Sequence, residues 1–385
     1  MECTQPKLEA PTASSGHFCQ LGFQHGVLHD FGPSYLSGKH NAKVRHRCGA
    51  RARGRLADRA ATKALPREEE RLAEGLGEST AALKHVLLCS YLGTEFCGWQ
   101  YQPEKNPNNR KKISTVQGRL TLALEKALST DAKALRMRAA SRTDTGVHSH
   151  GQVVEFYSPK VITSKDGNGN GNSLGDGMPS IDSRKFLFSL NSMLPKSVRV
   201  MWVSAVPDAF HVIKDVEMKQ YNYYLSLNSV CENPFTAHSR LHILNSKFKP
   251  PFDLEKFKQG ARLMEGKHDF AAFSNKTNDA RGEIKETVRH VTSCDCFQDQ
   301  HGVYLRVQGK GFLYKQVRHM VGALLWAAQG KMPLERIEEA LREGHHFVEE
   351  GKRKWQPAPA VGLHLMWVQY TSFQVPKNIN NTLVQ

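Results

Sequence analysis

The stretch AASRTDTGVHSHGQVVEFY, residues 139–157, decides how this chain is read. Its second part, QVVEFY (152–157), is apolar, aromatic and of strand length, so it reads as a buried strand. Its first part is polar, and Gly146 and Gly151 suit a loop that feeds the strand. That loop holds two types of residue that can do chemistry. Asp144 has a Thr on each side, Arg142 two residues before it and Gly146 two after. A carboxylate beside a guanidinium stays ionised well below neutral pH and is available as a nucleophile or a base. Gly146 lets the backbone turn tightly or approach a ligand. A surface Arg–Asp pair in a turn would look the same on these residues alone. Another reading groups Asp144, His148 and His150 as three metal ligands with an open position, as in a hydrolytic centre. Ser149 and Gly151 argue for loop against that arrangement.

Outward from this segment the chain alternates strands and helices. HVLLCSY (85–91) reads as a buried strand. Ser114 and Gln117 have capping-box spacing, and Val116, Leu120, Leu124 and Leu128 follow on one helical face. Residues 164–180, rich in Gly, Asn, Asp and Ser, read as an exposed insertion. Ser183 is placed to cap a short helix that ends before Pro195. YNYYLSL (221–227) predicts a strand with Tyr221 and Tyr223 on one face. Asp253 predicts the cap of a helix with Leu254, Phe257, Ala261 and Met264 inward and Gly266 as its stop. Residues 287–297 and Val303, Leu305 and Val307 alternate as a hairpin with one wet face. An apolar helix over 313–329 ends at Gly330, another starts at Pro333, and GLHLMWVQY (362–370) closes the pattern as a strand.

The fold class is therefore α+β, with two similar halves, 81–205 and 206–372, of mainly antiparallel sheet flanked by helices. Residues 1–80 form a basic N-terminal arm of low order that includes RHRCGARARGRLADRAATK (45–63), and 373–385 form a tail. The arm suits an organellar transit peptide or a disordered basic arm, as on a nuclear or cytoplasmic protein.

The 385 residues are 39% hydrophobic and 23% charged, which excludes a wholly disordered chain. The longest apolar stretch, Met320 to Ala328, is far short of the roughly 20 residues needed to cross a bilayer, so no membrane span is expected. Eight Cys without a CxxC pair argue against a structural zinc site and for a reducing compartment. The net charge is +16, and the commonest large polyanion in a cell is nucleic acid. Residues 1–80 hold 12 Lys and Arg against 9 Asp and Glu, so most of the excess lies on the body and not on the Arg-rich arm.

One further segment suits a nucleic-acid surface, and another places a cation in an apolar helix. YLGTEFCGWQYQ (91–102) mixes Gly, aromatics and amides and leads into Lys105, Arg110, Lys111 and Lys112, a combination that grips phosphates and stacks bases. It reads equally as a turn anchored by core Phe96 and Trp99. In GKGFLYKQVRHMVGALL (309–325), Arg318 lies inside an apolar helix, where a guanidinium needs an anion or must reach solvent.

Together these segments resemble the tRNA pseudouridine synthases of the TruA type, from Lys84 to about Tyr370. YLGTEFCGWQ resembles the family's first strand and turn, and STVQGRLTLALEKAL its first helix. SRTDTGVHSHGQVVEF is similar to the catalytic loop, FSLNSMLP to the Asn-containing element after it, and KQYNYYL to the strand bearing the active-site Tyr. GKHDFAAFS, GFLYKQVRHMVGALL and GLHLMWVQY complete the order. The resemblance implies the pseudouridine synthase fold, a homodimer, and a cofactor-free and metal-free isomerisation of uridine to pseudouridine in the anticodon stem-loop of tRNA, at nucleotides 38 to 40. It implies that Asp144 is the catalytic carboxylate and that Arg142 takes the place of the extruded uridine. Tyr221 is then the residue that stacks on the uracil, and Arg318 the partner of the Asp. The sequence departs from the family pattern at Leu92, Thr145 and Val212–Ile213, and Lys219 stands where Arg is usual. GQVVEF and GKHDF resemble the family's bacterial branch, which together with the basic leader implies an organelle, chloroplast ahead of mitochondrion. A non-catalytic RNA-binding protein on the same fold is the second reading, and a metal-dependent hydrolase on Asp144, His148 and His150 the third.

Overall fold

The computed structural model of the protein describes residues 82–101, 114–163, 179–227, 231–243, 251–275 and 286–371. The N-terminal arm, the basic loop from Lys105 to Lys112 and the tail lie outside the described residues. So does all but the end of the 164–180 insertion.

The strands are β1 (Leu83–Tyr91), β2 (Arg138–Ala139), β3 (His148–Ser158), β4 (Val161–Thr163), β5 (Ser180–Asp182) and β6 (Val198–Ala205), then β7 (Val216–Ser226), β8 (Leu241–His242), β9 (Gly266–Asp269), β10 (Val288–Asp299), β11 (Gly302–Gly309) and β12 (Leu363–Tyr370). The helices are α1 (Val116–Leu128), α2 (Ala132–Leu135), α3 (Ser183–Met193), α4 (Leu254–Leu263), α5 (Gln316–Ala328), α6 (Glu335–Glu343) and α7 (His345–Glu349). One ten-stranded sheet runs in the order β6-β1-β3-β12-β7-β11-β10-β9, with β2 on β3 and β8 on β7, and β4 pairs β5 separately. Neighbours in the large sheet are antiparallel except β12 on β3 and β8 on β7. This is the mixed, mainly antiparallel sheet with flanking helices that an α+β pattern predicts.

The two faces of the sheet carry two cores. Leu87 and Cys89 of β1 and Val154 and Phe156 of β3 join α1, α2 and α3 through Leu120, Leu124, Leu128, Leu135, Phe186 and Leu190. Val86 and Leu88 of β1 and Val153 of β3 point the other way, into a larger core with Tyr223, Leu305, Val307, Phe257, Met320 and Leu324. Strands buried on both faces read as unbroken apolar runs, which is why HVLLCSY and QVVEFY show no alternation. Each fully buried Leu or Phe contributes roughly 1.5–3 kcal/mol.

Several boundaries differ from the sequence reading, each for a local reason. The cap of α1 is Thr115, whose side chain accepts from the Gly118 amide, and Gln117 instead accepts from the Tyr101 amide. Asp182, not Ser183, caps α3 by accepting from the Arg184 and Lys185 amides. Ser180, taken as the end of the insertion, opens β5. The apolar helix begins at Gln316 and not at 313, because Lys315 sits in the left-handed region at φ 62°. The next helix begins at Glu335, two residues after Pro333. Gly266 opens β9 instead of only ending α4.

One feature of the sheet positions the loop. Along one edge of β3, β2 pairs residues 154 and 155, and β12 pairs residues 148 and 149. Between them, residues 150–153 have no ladder partner on that edge. The 140–147 loop leaves the sheet where β2 ends and returns where β12 takes over.

Candidate active site

Residues 140–147 are held by side chains from distant parts of the chain. The Ala140 amide donates to Val153 O at 2.9 Å. Gln152, fully buried in β3, clasps Ser141 from both sides, accepting from its amide at 3.2 Å and donating to its carbonyl at 2.6 Å. Thr143 is buried, with its hydroxyl 2.8 Å from the Tyr91 phenol and its carbonyl accepting from the Trp99 amide at 3.1 Å. The Val147 amide closes a turn onto Asp144 O at 3.1 Å, with Gly146 at φ +81° in its third position. That backbone is what a type II turn requires, and glycine takes it without strain. The Gly93 amide donates to His148 Nδ1 at 3.3 Å, and a Cβ at Gly93 would stand 2.0 Å from Val147 O. The turn after β1 can therefore lie flat on the loop only with glycine there.

The loop turns Asp144 inward and Arg142 outward. Arg142 is exposed and has no ion pair among the described residues. The expected Arg142–Asp144 pair is thus not formed. Asp144 Oδ2 instead accepts from Arg318 Nη1 at 3.1 Å, with the two side chains 18% and 13% exposed. Arg318 is aimed by its backbone surroundings. Its Nε donates to Ala358 O at 2.7 Å, and the Ala358 amide returns a bond to Arg318 O at 2.8 Å. The snorkelling alternative for Arg318 is excluded, since its guanidinium is spent inside the protein.

Tyr221 and Tyr223 share a face of β7 as their spacing predicted, and both are buried. The Tyr221 phenol lies 2.6 Å from Ser141 Oγ, and its ring meets Phe312 edge-on at 5.4 Å between centroids. Burial above all, with the Asp144 charge added, pushes the Tyr221 phenol up to about 12 against the lowering effect of the Ser141 bond. Tyr223 donates to Pro359 O at 2.7 Å. Asp144 from one half of the chain and Tyr221 and Arg318 from the other therefore meet at one place.

The two histidines of the loop segment do not converge on Asp144. His148 and Gly151 lie in β3, and the rings of His148 and His150 stack on His364 of β12 at 4.5 and 5.2 Å. His150 Nε2 and His364 Nδ1 are 3.0 Å apart, so one of them carries the shared proton. Burial first, then the neighbouring His150, lowers His148 to about 4 and keeps it neutral near pH 7. Among the described residues no group of three His, Cys, Asp or Glu is arranged to hold a metal ion. Nor is any helix among them long and apolar enough to cross a membrane.

Comparison with known proteins shows the family of the chain. The profile of the family described as tRNA pseudouridine synthase matches residues 261–371. The chain is 33% identical over 290 residues to tRNA pseudouridine synthase A of Chlamydia muridarum (strain MoPn / Nigg), covering 75% of this chain and 92% of that protein. It is 32% identical over 290 residues to tRNA pseudouridine synthase A of Listeria monocytogenes serotype 4b (strain CLIP80459), covering 74% of this chain and 99% of that protein. The chain belongs to the tRNA pseudouridine synthase family. It is therefore an isomerase, and the TruA-type resemblance extends through the relatives named synthase A. A further relative, tRNA pseudouridine synthase A 1 of Protochlamydia amoebophila (strain UWE25), is 31% identical over 288 residues, covering 74% of this chain and 96% of that protein.

Within this synthase, several residues that fix the site were not legible in the sequence. Gln152 and Tyr91 sit in strands that read as core, and their bonds to the loop span 11 and 52 residues. A polar amide opening the apolar run QVVEF was the available signal for Gln152. Phe96 and Trp99 are buried, so the turn after β1 is anchored in the core, while Tyr101 is 58% exposed.

Proposed function

We propose that the protein isomerises uridine to pseudouridine in the anticodon stem-loop of tRNA, at nucleotides 38 to 40, with Asp144 as the catalytic carboxylate. The observation that carries this reading is the half-buried Asp144–Arg318 pair beside Tyr221, assembled from both halves of the chain. Arg318 takes up only Oδ2, and Oδ1 has no hydrogen bond among the described residues. Arg318 fixes one carboxylate oxygen in place, and the other is left open to an incoming nucleotide.

The reaction breaks the N1–C1′ bond of the uridine, turns the uracil and rejoins it through C5. The proton displaced from C5 is balanced by one gained at N1. No electron pair leaves the nucleotide and no group is transferred, so a carboxylate suffices as nucleophile, or as the base that removes the ribose 2′ proton. A paired uridine must first leave its stem, which costs a few kcal/mol. The Tyr221 ring recovers part of this by stacking on the uracil, and exposed Arg142 fills the vacated place in the RNA. The excess cation on residues 81–385 holds the phosphates. The homodimer that the resemblance implies belongs to the same proposal, and sedimentation of the free protein and of its tRNA complex tests it.

The test uses tRNA carrying tritium at uracil C5, which is released when C5 becomes the glycosidic carbon. Release from the parent protein with none from Asp144→Ala is expected. No release from any tRNA, or equal release by the variant, would overturn the reading.

A further inference from the structure

Lys219 lies on β7 two residues before Tyr221 and on the same face. Its Nζ donates to the Ala140 carbonyl at 2.6 Å, at the point where the loop leaves the sheet. Successive side chains on this face of β7 thus hold successive points around the site. Lys219 holds Ala140, Tyr221 holds Ser141, and Tyr223 holds Pro359 beside the Arg318 anchor.

The ammonium is an expensive choice for such a bond. Its neighbours across the ladder are Gly309 and Val368, which offer no charge, and no carboxylate pairs with it among the described residues. Burial lowers it to about 8. Titratable and charged groups on the elements around it include Glu217, Tyr221, Tyr223 and Tyr224 on its own strand, Arg142 and Asp144 on the loop, Tyr304 and Arg306 on β11 with Lys310 after it, Arg318 and His319 on α5, and His364 and Tyr370 on β12. None of them makes an ion pair with it. An unpaired cation in such a place opposes folding, and an apolar side chain of similar size would be neutral or stabilising there. A group that costs folding free energy where it stands is a candidate for a role in the chemistry.

We propose that Lys219 is a positioning residue of the isomerisation, whose ammonium holds the Ala140 carbonyl and so sets the stem from which Asp144 is presented. The inference rests on the reading of Asp144 as the catalytic carboxylate. With Ser141 clasped by Gln152 and Tyr221, the Ala140 carbonyl is the remaining hinge at the start of the loop. Releasing it lets the carboxylate drift, and a displacement of about 1 Å costs on the order of 10²-fold in rate.

The experiment measures tritium release by the full-length protein and by Lys219→Met, Lys219→Arg and Asp144→Asn over a range of pH. Lys219→Met is expected to lose about 10²-fold in kcat, with KM within about threefold. Its melting temperature should equal or exceed the parent's at pH 7. Lys219→Arg, which keeps a donor that does not titrate, should retain kcat within about fivefold. The parent's kcat should fall above about pH 8, as the ammonium is lost. That alkaline limb should move up in Lys219→Arg, and this comparison stands even where Lys219→Met fails to fold. Full kcat in Lys219→Met would overturn the proposal. So would a loss confined to KM, or equal losses in the Met and Arg variants with an unmoved limb. An active Asp144→Asn would instead overturn the reading of the site itself. An inactive Asp144→Asn beside a fully active Lys219→Met would sink the Lys219 inference alone.

Discussion

Among the Arg–Asp pairs of the described residues, Arg240–Asp299 and Arg318–Asp144 lie in different parts of the fold and use their carboxylates differently. In the first, Arg240 reaches Asp299 near the turn of the β10–β11 hairpin. Both oxygens of the carboxylate are engaged there. Arg240 also donates to Leu225 O and lies over the Tyr224 ring at 4.9 Å, and the second oxygen of Asp299 accepts from the His301 amide. Burial works against the Asp299 charge, but the bonds from Arg240 and His301 and the Arg240 charge outweigh it, so its carboxyl titrates below its ordinary value. In the second pair Arg318 is equally tied down, through Ala358, but Asp144 keeps one oxygen open. The Arg240–Asp299 pair engages both carboxylate oxygens, whereas the Arg318–Asp144 pair leaves one oxygen open.

The sharpest way to break this contrast is to neutralise both carboxylates. Asp144→Asn should lose at least about 10³-fold in kcat with little change in melting temperature. Asp299→Asn should keep its rate and lose about 1–3 kcal/mol of stability by denaturant titration. Similar kinetics in the two variants would erase the distinction. Next in size, Arg318→Met leaves Asp144 without its guanidinium and should cost about 10²-fold in tritium release. The matching Arg240→Met should register only in unfolding experiments. Gly93→Ala tests whether the neighbouring turn must lie against the loop. The added Cβ meets Val147 O at 2.0 Å, and about 1–3 kcal/mol of stability should be lost together with part of kcat.

The smallest expected effect is in acid. His148, lowered to about 4, with His150 and His364 also depressed by burial, is neutral in the fold but takes up protons in the unfolded chain near its ordinary value of 6.5. Their contribution is full above about pH 6.5 and is lost as pH falls towards 4, because the unfolded chain binds more protons in that window. The melting temperature should therefore drop over this interval, and His148→Gln should flatten the drop.

Much of this architecture was legible because apolar periodicity is local. The face of α1, the β10–β11 hairpin and both tyrosines of β7 stand where their spacing put them. Arg318 was readable because a guanidinium in an apolar helix demands an anion. Arg142 misled because nearness in sequence was taken for nearness in space, while the turn at Gly146 sends Asp144 to a helix 174 residues away. The caps at Thr115 and Asp182 were missed by one residue because neighbouring hydroxyls and carboxylates compete for the same amides. Lys219, Gln152 and His364 stayed hidden because their meaning depends on which strands become neighbours, and no spacing encodes that.

The placing of β12 between β3 and β7 also bears on how the protein is made. Of the described strands it is the last to leave the ribosome, yet it alone joins the two groups of strands into one sheet. Until residues 363–370 emerge, the edges of β3 and β7 stand open as templates for wrong pairing. Nascent chains ending before Leu363 should accordingly be the species that chaperones hold, with Asp144 and Arg318 still apart. Asp144 and Arg318 would thus meet only after β12 has been made and has closed the sheet.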